Sequence, residues 1–334
     1  VHGHQIWLGQ DVDDLIIACS SSDEVKSIIA FLKKSFSIKE LGNLQYCLGV
    51  KVDRDRPNGQ MFLSQKAYVE RLVEKFGLTD CKPCYTPSSM EVLTKPEETW
   101  DLQYPYREAI GSLMYLMLCT RPDIANALGC VAKYCDNYDQ SHWIAVKRII
   151  RYLNTTKNYR LTYGIGKKNG LECYADASWG SDLDTRRSTT GYITKLDGNL
   201  ISWKSQRQPT VATSSTEAEY MSLTAAVQEV IWLKRMLSNL KVYSKSKVVI
   251  FQDNQGAIAL AKNPVFHQRT KHIDIKYHFV REQVELKEFE LVYVPTTMMQ
   301  ADVMTKNLPR PKFEKDIYAI GLVEDSQGKV LKKS

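Results

Sequence analysis

The sequence predicts an α/β chain whose C-terminal half is a mixed sheet flanked by helices, and three stretches predict it. Leu171-Glu172-Cys173-Tyr174-Ala175-Asp176-Ala177-Ser178-Trp179-Gly180 alternates apolar or aromatic positions up to Asp176. Ser178 and Gly180 then break the pattern, so a short strand ends on a carboxylate. Lys247-Val248-Val249-Ile250-Phe251-Gln252-Asp253-Asn254 reads as a buried strand that also ends on an acid and runs into a helix over 255–262. Thr213-Ser214-Ser215-Thr216-Glu217-Ala218-Glu219 opens a long helix toward Leu240, with apolar residues at 223, 227, 230, 231, 233, 237 and 240.

Composition bounds the class. A length of 334 residues suits two ordinary domains or three small ones. A net charge of +7 is mildly basic and compatible with a polyanionic partner. The 43% hydrophobic and 25% charged content is that of a soluble globular protein. No apolar run approaches the roughly 18 residues a membrane span needs, and nothing at the start reads as a signal peptide, so a non-secreted protein without a membrane segment is expected. The eight cysteines are scattered, several in apolar contexts, as reduced core thiols of an intracellular protein would be.

From the start, Gln5 to Gln10 and Leu15 to Cys19 are β-prone runs flanking Asp11-Val12-Asp13-Asp14, a hairpin with adjacent carboxylates at its tip. Such a pair suits Mg²⁺, but by itself it is nonspecific, since turns are rich in Asp for local hydrogen-bonding reasons. Asp23 to Phe36 has the spacing of an amphipathic helix, with acids early and lysines late. Pro57-Asn58-Gly59 marks a hairpin turn. Ser64 is placed to cap a helix from Gln65 to Phe76, ended by Gly77.

Cys81-Lys82-Pro83-Cys84 is a single C-x-x-C with no second element at zinc spacing, so no zinc is assigned to it. A Pro-rich linker follows to Thr99, then helical patterns over 106–119, 123–134 and 140–153. The last carries Lys147, Arg148 and Arg151, a solvated face or one that tracks phosphates. The Gly- and Lys-rich stretch 162–170 marks a boundary.

Beyond it, strands over 190–196 and 200–204 join at Asp197-Gly198. Ser214 and Glu217 have capping-box spacing, which occupies Glu217 and leaves Glu219 free. A helix begins near Thr270, a last strand runs 289–295, and Gln300 to Lys306 starts a final helix carrying Asp302. His267, His272 and His278 share no face, so no zinc is assigned there either. Four acids, Asp176, Glu219, Asp253 and Asp302, thus occupy comparable positions. Brought to one place they are not all stable ionised unless cations neutralise them, the logic of a two-metal phosphodiester site.

Several motifs resemble one family in order along the chain. Asp11-Val12-Asp13-Asp14-Leu15-Ile16, Leu48-Gly49-Val50-Lys51-Val52, Leu63-Ser64-Gln65-Lys66-Ala67-Tyr68 and Lys75-Phe76-Gly77-Leu78 are similar to the reverse transcriptase of copia-type (Ty1/copia) LTR retrotransposons. Gly111 to Leu116 and Thr120 to Ala125 are similar to its thumb and connecting segment. Tyr174 to Trp179, Ser214 to Tyr220, Asp253 to Ala257, Arg269 to Asp274 and Ala301 to Lys306 resemble its ribonuclease H domain.

The resemblance implies a truncated reverse-transcriptase palm over 1–80, a helical thumb and connection over 81–168, a ribonuclease H fold over 169–312 and a C-terminal tail over 313–334. It implies that Asp176, Glu219, Asp253 and Asp302 are catalytic and hold two Mg²⁺ ions, or Mn²⁺, and that Asp13 and Asp14 are metal ligands of the polymerase site. Arg186, Arg187 and Lys271 are the expected phosphate contacts.

Three departures matter. Asp11 replaces the family's Tyr before Val-Asp-Asp. The third polymerase Asp falls upstream of Val1, so polymerisation is not expected of this chain alone. No His occurs in Val294 to Met299, where bacterial and retroviral relatives carry one.

The implied function is a metal-dependent endoribonuclease cutting RNA in RNA–DNA hybrids, within a larger Pol polyprotein of the cytoplasmic virus-like particle or the nucleus. The alternative is a remnant that binds nucleic acid without cutting it.

Overall fold

The structure is a computed structural model, describing residues 5–98, 103–165, 169–242, 248–262 and 274–325. Strands β1 (Ile6–Asp11) and β2 (Asp14–Cys19) pair antiparallel, with Asp11 opposite Asp14 and Val12 in the left-handed region at φ 46°. Helix α1 (Ser22–Leu32) follows, its Ser21 side chain accepting from the Glu24 N–H. α1 buries no residue, and the hairpin meets the rest through Trp7 Nε1, which donates to the Leu240 carbonyl at 2.8 Å.

Next come β3 (Tyr46–Cys47), β4 (Val50–Asp55), β5 (Gln60–Ser64) and α2 (Lys66–Lys75). The Asn-Gly turn joins β4 to β5 with Gly59 at φ 63°, as the sequence predicts. The cap of α2 differs from expectation. Ser64 is consumed as the last ladder residue of β5, opposite Lys51. Gln65 is the N-cap instead, and its side-chain oxygen accepts from Thr120 Oγ1 at 2.7 Å.

The helical segment comprises α3 (Tyr106–Cys119), a 3-10 turn at Pro122–Ile124, α4 (Ala125–Ala132) and α5 (Gln140–Thr155). Asp139 caps α5 in a capping box with His142. The α5 cations are partly engaged: Arg151 donates to the Lys82 carbonyl and Arg148 to Thr86 Oγ1, clipping the linker to the helix.

The remaining elements are β6 (Tyr159–Tyr163), β7 (Leu171–Ser178), β8 (Thr189–Leu196), β9 (Asn199–Arg207), α6 (Ser215–Asn239), β10 (Val248–Gln252), α7 (Gln255–Lys262), α8 (Asp274–Glu285), β11 (Glu290–Tyr293), α9 (Asp302–Thr305), α10 (Arg310–Ala319) and β12 (Leu322–Glu324). No helix among the described residues is long and apolar enough to cross a membrane.

Two five-stranded sheets result, with orders β12-β6-β5-β4-β3 and β11-β10-β7-β8-β9. In the second, β7, β8 and β9 are antiparallel while β10 runs parallel to both β7 and β11. This is the mixed sheet flanked by helices expected of a ribonuclease H fold. Leu171, Cys173 and Ala175 of β7 pack with Tyr220, Leu223, Val227 and Val230 of α6. Ile193 and Leu200, from the same sheet, join instead the core built by Ile149, Ile150 and Leu153 of α5. The helical segment and the second sheet therefore share one core across the expected boundary at 168.

The stretch 313–334, expected as a tail, is structured through its described part. Phe313, Ile317, Ile320 and Leu322 are buried, and β12 pairs with β6. Helical spacing of three apolar residues gives that segment a face to bury, which is why it docks.

Candidate active site

Register alone sets two acids side by side. Ala175 of β7 pairs with Gln252 of β10 in parallel, so the next residues, Asp176 within β7 and Asp253 just past β10, lie side by side near the same end of the sheet. Asp176 is fully buried and lies opposite Gly191 of β8. Ser222 Oγ on α6 donates to the Asp176 carbonyl at 2.6 Å and to that of Gly191 at 3.2 Å, pinning the helix across the strand pair. The cap then orients α6. Ser214 Oγ accepts from the Glu217 N–H at 3.1 Å, and Glu217 Oε2 accepts from the Thr213 N–H at 2.7 Å. Glu217 is thus occupied at the helix end, and Glu219 faces the sheet.

The side chains of Asp176, Glu219 and Asp253 bring one oxygen each within 4.8 Å of one another. Among the described residues this is the one such group of three. Glu219 is 8% exposed, and its Oε2 is buried without a hydrogen-bond partner. Asp253 is half-buried and accepts from Thr296 Oγ1 at 2.8 Å.

Asp302, the fourth expected acid, is placed differently. Its Oδ1 pairs with Lys306 Nζ at 2.6 Å and its Oδ2 with Lys312 Nζ at 3.2 Å. Lys306 also reaches Asp176 Oδ1 at 3.0 Å, and Thr305 Oγ1 donates to Asp176 Oδ2. The acids are therefore three together and one linked to them through a lysine. Sequence reading missed Thr305, Lys306, Lys312, Ser222 and Thr296. Only Lys306 carried a local signal, an acid four residues ahead of a lysine on a helix.

Asp13 and Asp14 sit on the exposed β1–β2 hairpin and join no group of three acids among the described residues. Arg186 and Arg187 lie in the loop between β7 and β8, Arg186 exposed at φ 56°. That loop is anchored by Asp182, which accepts from Lys133 Nζ and Arg207 Nη1 at 2.8 Å each. Lys271 lies outside the described residues, as do His267 and His272.

Backbone space is equally constrained. A Cβ on Gly191 would fall 2.5 Å from Thr305 Cγ2 and 2.7 Å from Met304 Cβ, so α9 rests directly on β8. Gly191→Ala is expected to destabilise the fold by about 1–3 kcal/mol through overpacking, read as a lowered urea midpoint. An unchanged midpoint would show that α9 yields freely.

Electrostatics favour a cation. Burial, then Asp176 and Asp253, pushes the Glu219 carboxyl up to about 9. Burial raises Asp176 as well, against the pull of Lys306. At neutral pH the folded chain thus retains a proton on Glu219 that the unfolded chain releases. Without a cation, stability contributed by that proton is present below the ordinary 4.5 and lost as pH rises toward about 9. Divalent-cation uptake must displace the proton. Calorimetric titration with Mg²⁺ at pH 7.5, in two buffers of different ionisation enthalpy, is expected to show about one proton released per ion bound. Identical heats in both buffers would contradict this.

Comparison with known proteins adds sequence kinship to this geometry. A sequence profile described as "Reverse transcriptase (RNA-dependent DNA polymerase)" matches residues 2–90. The chain is 42% identical over 311 residues to the retrovirus-related Pol polyprotein from transposon TNT 1-94 of Nicotiana tabacum, covering 91% of this chain and 23% of that protein. It is 37% identical over 315 residues to the Pol polyprotein from transposon RE2 of Arabidopsis thaliana, covering 94% of this chain and 21% of that one. The chain therefore spans about a fifth of these relatives' own length. Among solved structures, LC11-RNase H1, isolated from compost by a metagenomic approach, superposes with a TM-score of 0.32 at 16% identity, over 45% of this chain and 99% of that one.

Proposed function

The chain belongs to the copia-type Pol polyproteins of retrotransposons, and on that premise we propose that its C-terminal half is a ribonuclease H, a divalent-metal-dependent enzyme that cleaves the RNA strand of RNA–DNA hybrids. One observation carries the reading: Asp176, Glu219 and Asp253 converge from two neighbouring strands and a helix, with a buried, unpartnered Glu219 oxygen among them. An all-oxygen, all-carboxylate donor set fits Mg²⁺ or Mn²⁺. A cation held there supplies a water of lowered pKa and offsets charge on phosphate oxygens.

The chain's own residues do the rest. Thr305 and Lys306 fix Asp176, and Thr296 fixes Asp253, so two carboxylates are oriented before substrate arrives. Arg186 and Arg187, with Lys271, are the proposed contacts to backbone phosphates, and RNA is distinguished from DNA by its 2′-hydroxyl. Asp13 and Asp14 are proposed as metal ligands of a polymerase site. RNA-directed DNA polymerisation is proposed only for a longer Pol product that adds a third carboxylate to them. Within such a polyprotein, in a virus-like particle or the nucleus, the nuclease would clear template RNA during reverse transcription.

Substrate choice tests the reading. The same labelled RNA is offered as a hybrid with DNA, as a duplex with RNA and single-stranded, each with Mg²⁺. The expected result is cleavage of the hybrid alone. Equal cleavage of all three would reassign the site to a general ribonuclease.

A further inference from the structure

We propose that Lys306 is a built-in cation standing where a second metal ion would bind, so that the chain by itself takes up one divalent cation and accepts a second only when Lys306 is removed or drawn away. The inference rests on the nuclease reading only in taking the carboxylates as a cation site.

The four acids are sorted unequally. Asp176, Glu219 and Asp253 face one another, and Glu219 Oε2 lacks any partner. Both oxygens of Asp302 are spoken for by Lys306 and Lys312. A second cation of a two-metal centre sits about 4 Å from the first and shares a carboxylate with it. The carboxylate available for sharing with Asp302 is Asp176, and the space between those two holds the Lys306 ammonium, 3.0 Å from one and 2.6 Å from the other. A divalent ion placed there meets a like charge at contact distance in a poorly solvated pocket, where repulsion is least screened.

Lys306 is also built to stay or to leave. Its backbone N–H closes α9 on the Asp302 carbonyl at 2.9 Å, which fixes the root of the side chain. The side chain is 34% exposed, so its head can be drawn toward an incoming phosphate. Lys312 differs: it is also held by Asp316 at 2.9 Å, on the far side of Asp302. The device supplies the positive charge that Asp302 needs in the absence of nucleic acid.

The test counts ions on the full chain without nucleic acid, by calorimetry with Mg²⁺ and by electron paramagnetic resonance with Mn²⁺. The unmodified chain is expected to bind one Mn²⁺ with an uncoupled spectrum, Lys306→Met two with the spectrum of a spin-coupled pair, and Lys306→Arg one again. Two ions on the unmodified chain, or one on Lys306→Met, overturns the inference. Should Lys306→Met not fold, Lys306→Gln, neutral but still a hydrogen-bond donor, decides by the same count. Hybrid cleavage measured alongside separates the readings. Two ions on the unmodified chain with cleavage removes this inference and leaves the nuclease. One ion there, two on the variant and no cleavage does the reverse, and no ion on any form removes both.

Discussion

Asp176→Asn is expected to reduce hybrid cleavage by about a thousandfold or more, roughly 4 kcal/mol of barrier, while the chain stays folded. The substitution keeps the shape. Asn can turn its oxygen to Lys306 Nζ and donate its amide N–H to Thr305 Oγ1, which accepts as readily as it donates, and Lys306 retains Asp302 at 2.6 Å. What it deletes is the one carboxylate that faces both Glu219 and Lys306, and with it the charge that makes the cluster a cation site. Burial already disfavours that charge in the folded chain, so removing it is not expected to lower stability without metal. Metal-dependent stability is the discriminating readout. Saturating Mg²⁺ at about a hundred times its dissociation constant stabilises a binding-competent chain by about 2.7 kcal/mol, and this increment is expected to vanish in the variant. A variant that retains both the increment and the activity would remove Asp176 from the site.

The second large effect concerns the frame that carries the site. Asp123→Ala is expected to destabilise the chain by about 3–5 kcal/mol, because it leaves the Arg121 guanidinium buried without its counter-charge. The pair is bidentate, Nε to Oδ1 at 3.0 Å and Nη2 to Oδ2 at 2.7 Å, and its side chains are 3% and 0% exposed. Arg121 also donates to the Thr156 carbonyl and hydroxyl, and Tyr152 OH donates to Asp123 Oδ2 at 2.5 Å. The 3-10 turn is thereby tied to the end of α5, whose apolar face lies in the core shared with the second sheet. Urea unfolding measures the loss. Replacing both members together, Arg121→Met with Asp123→Leu, is expected to restore much of it, since an apolar pair leaves no unpaired charge behind. A double variant as unstable as the single one would mean that the Thr156 and Tyr152 contacts, not the charge, hold the turn.

What was legible in the sequence was local. Alternation up to Asp176, the apolar run into Asp253, the Asn-Gly turn and the Ser214–Glu217 cap each involve residues a few positions apart, and each element appears there, although the strand expected to end on Asp176 runs on to Ser178 because β8 goes on pairing with it. The convergence of Asp176 and Asp253 rests on parallel pairing, which sets Asp176, two residues short of the end of β7, beside Asp253, just past the end of β10. What was not legible depends on contacts between distant segments. Lys312 takes one oxygen of Asp302 and Lys306 the other, so four equivalent-looking acids separate into three and one. Gln65 takes the N-cap position of α2 without a side-chain cap bond, its side chain accepting instead from Thr120, 55 residues on. The docking of α10 and β12 had a signal in Phe313, Ile317 and Ile320, but the partner strand, β6, lies some 160 residues earlier in register, Leu161 against Leu322. No pattern within a window of one helix specifies such a pairing.

The most direct test of the central claim, that Asp176, Glu219 and Asp253 form the metal-dependent nuclease centre, is a single assay. Purified chain is incubated with a hybrid carrying labelled RNA and Mg²⁺, beside the same reaction with EDTA and beside Asp253→Asn. RNA fragments are expected in the first reaction and intact RNA in the other two. Binding of the hybrid with intact RNA throughout, in Mg²⁺ and in Mn²⁺ alike, would contradict it and leave a chain that holds nucleic acid without cutting it.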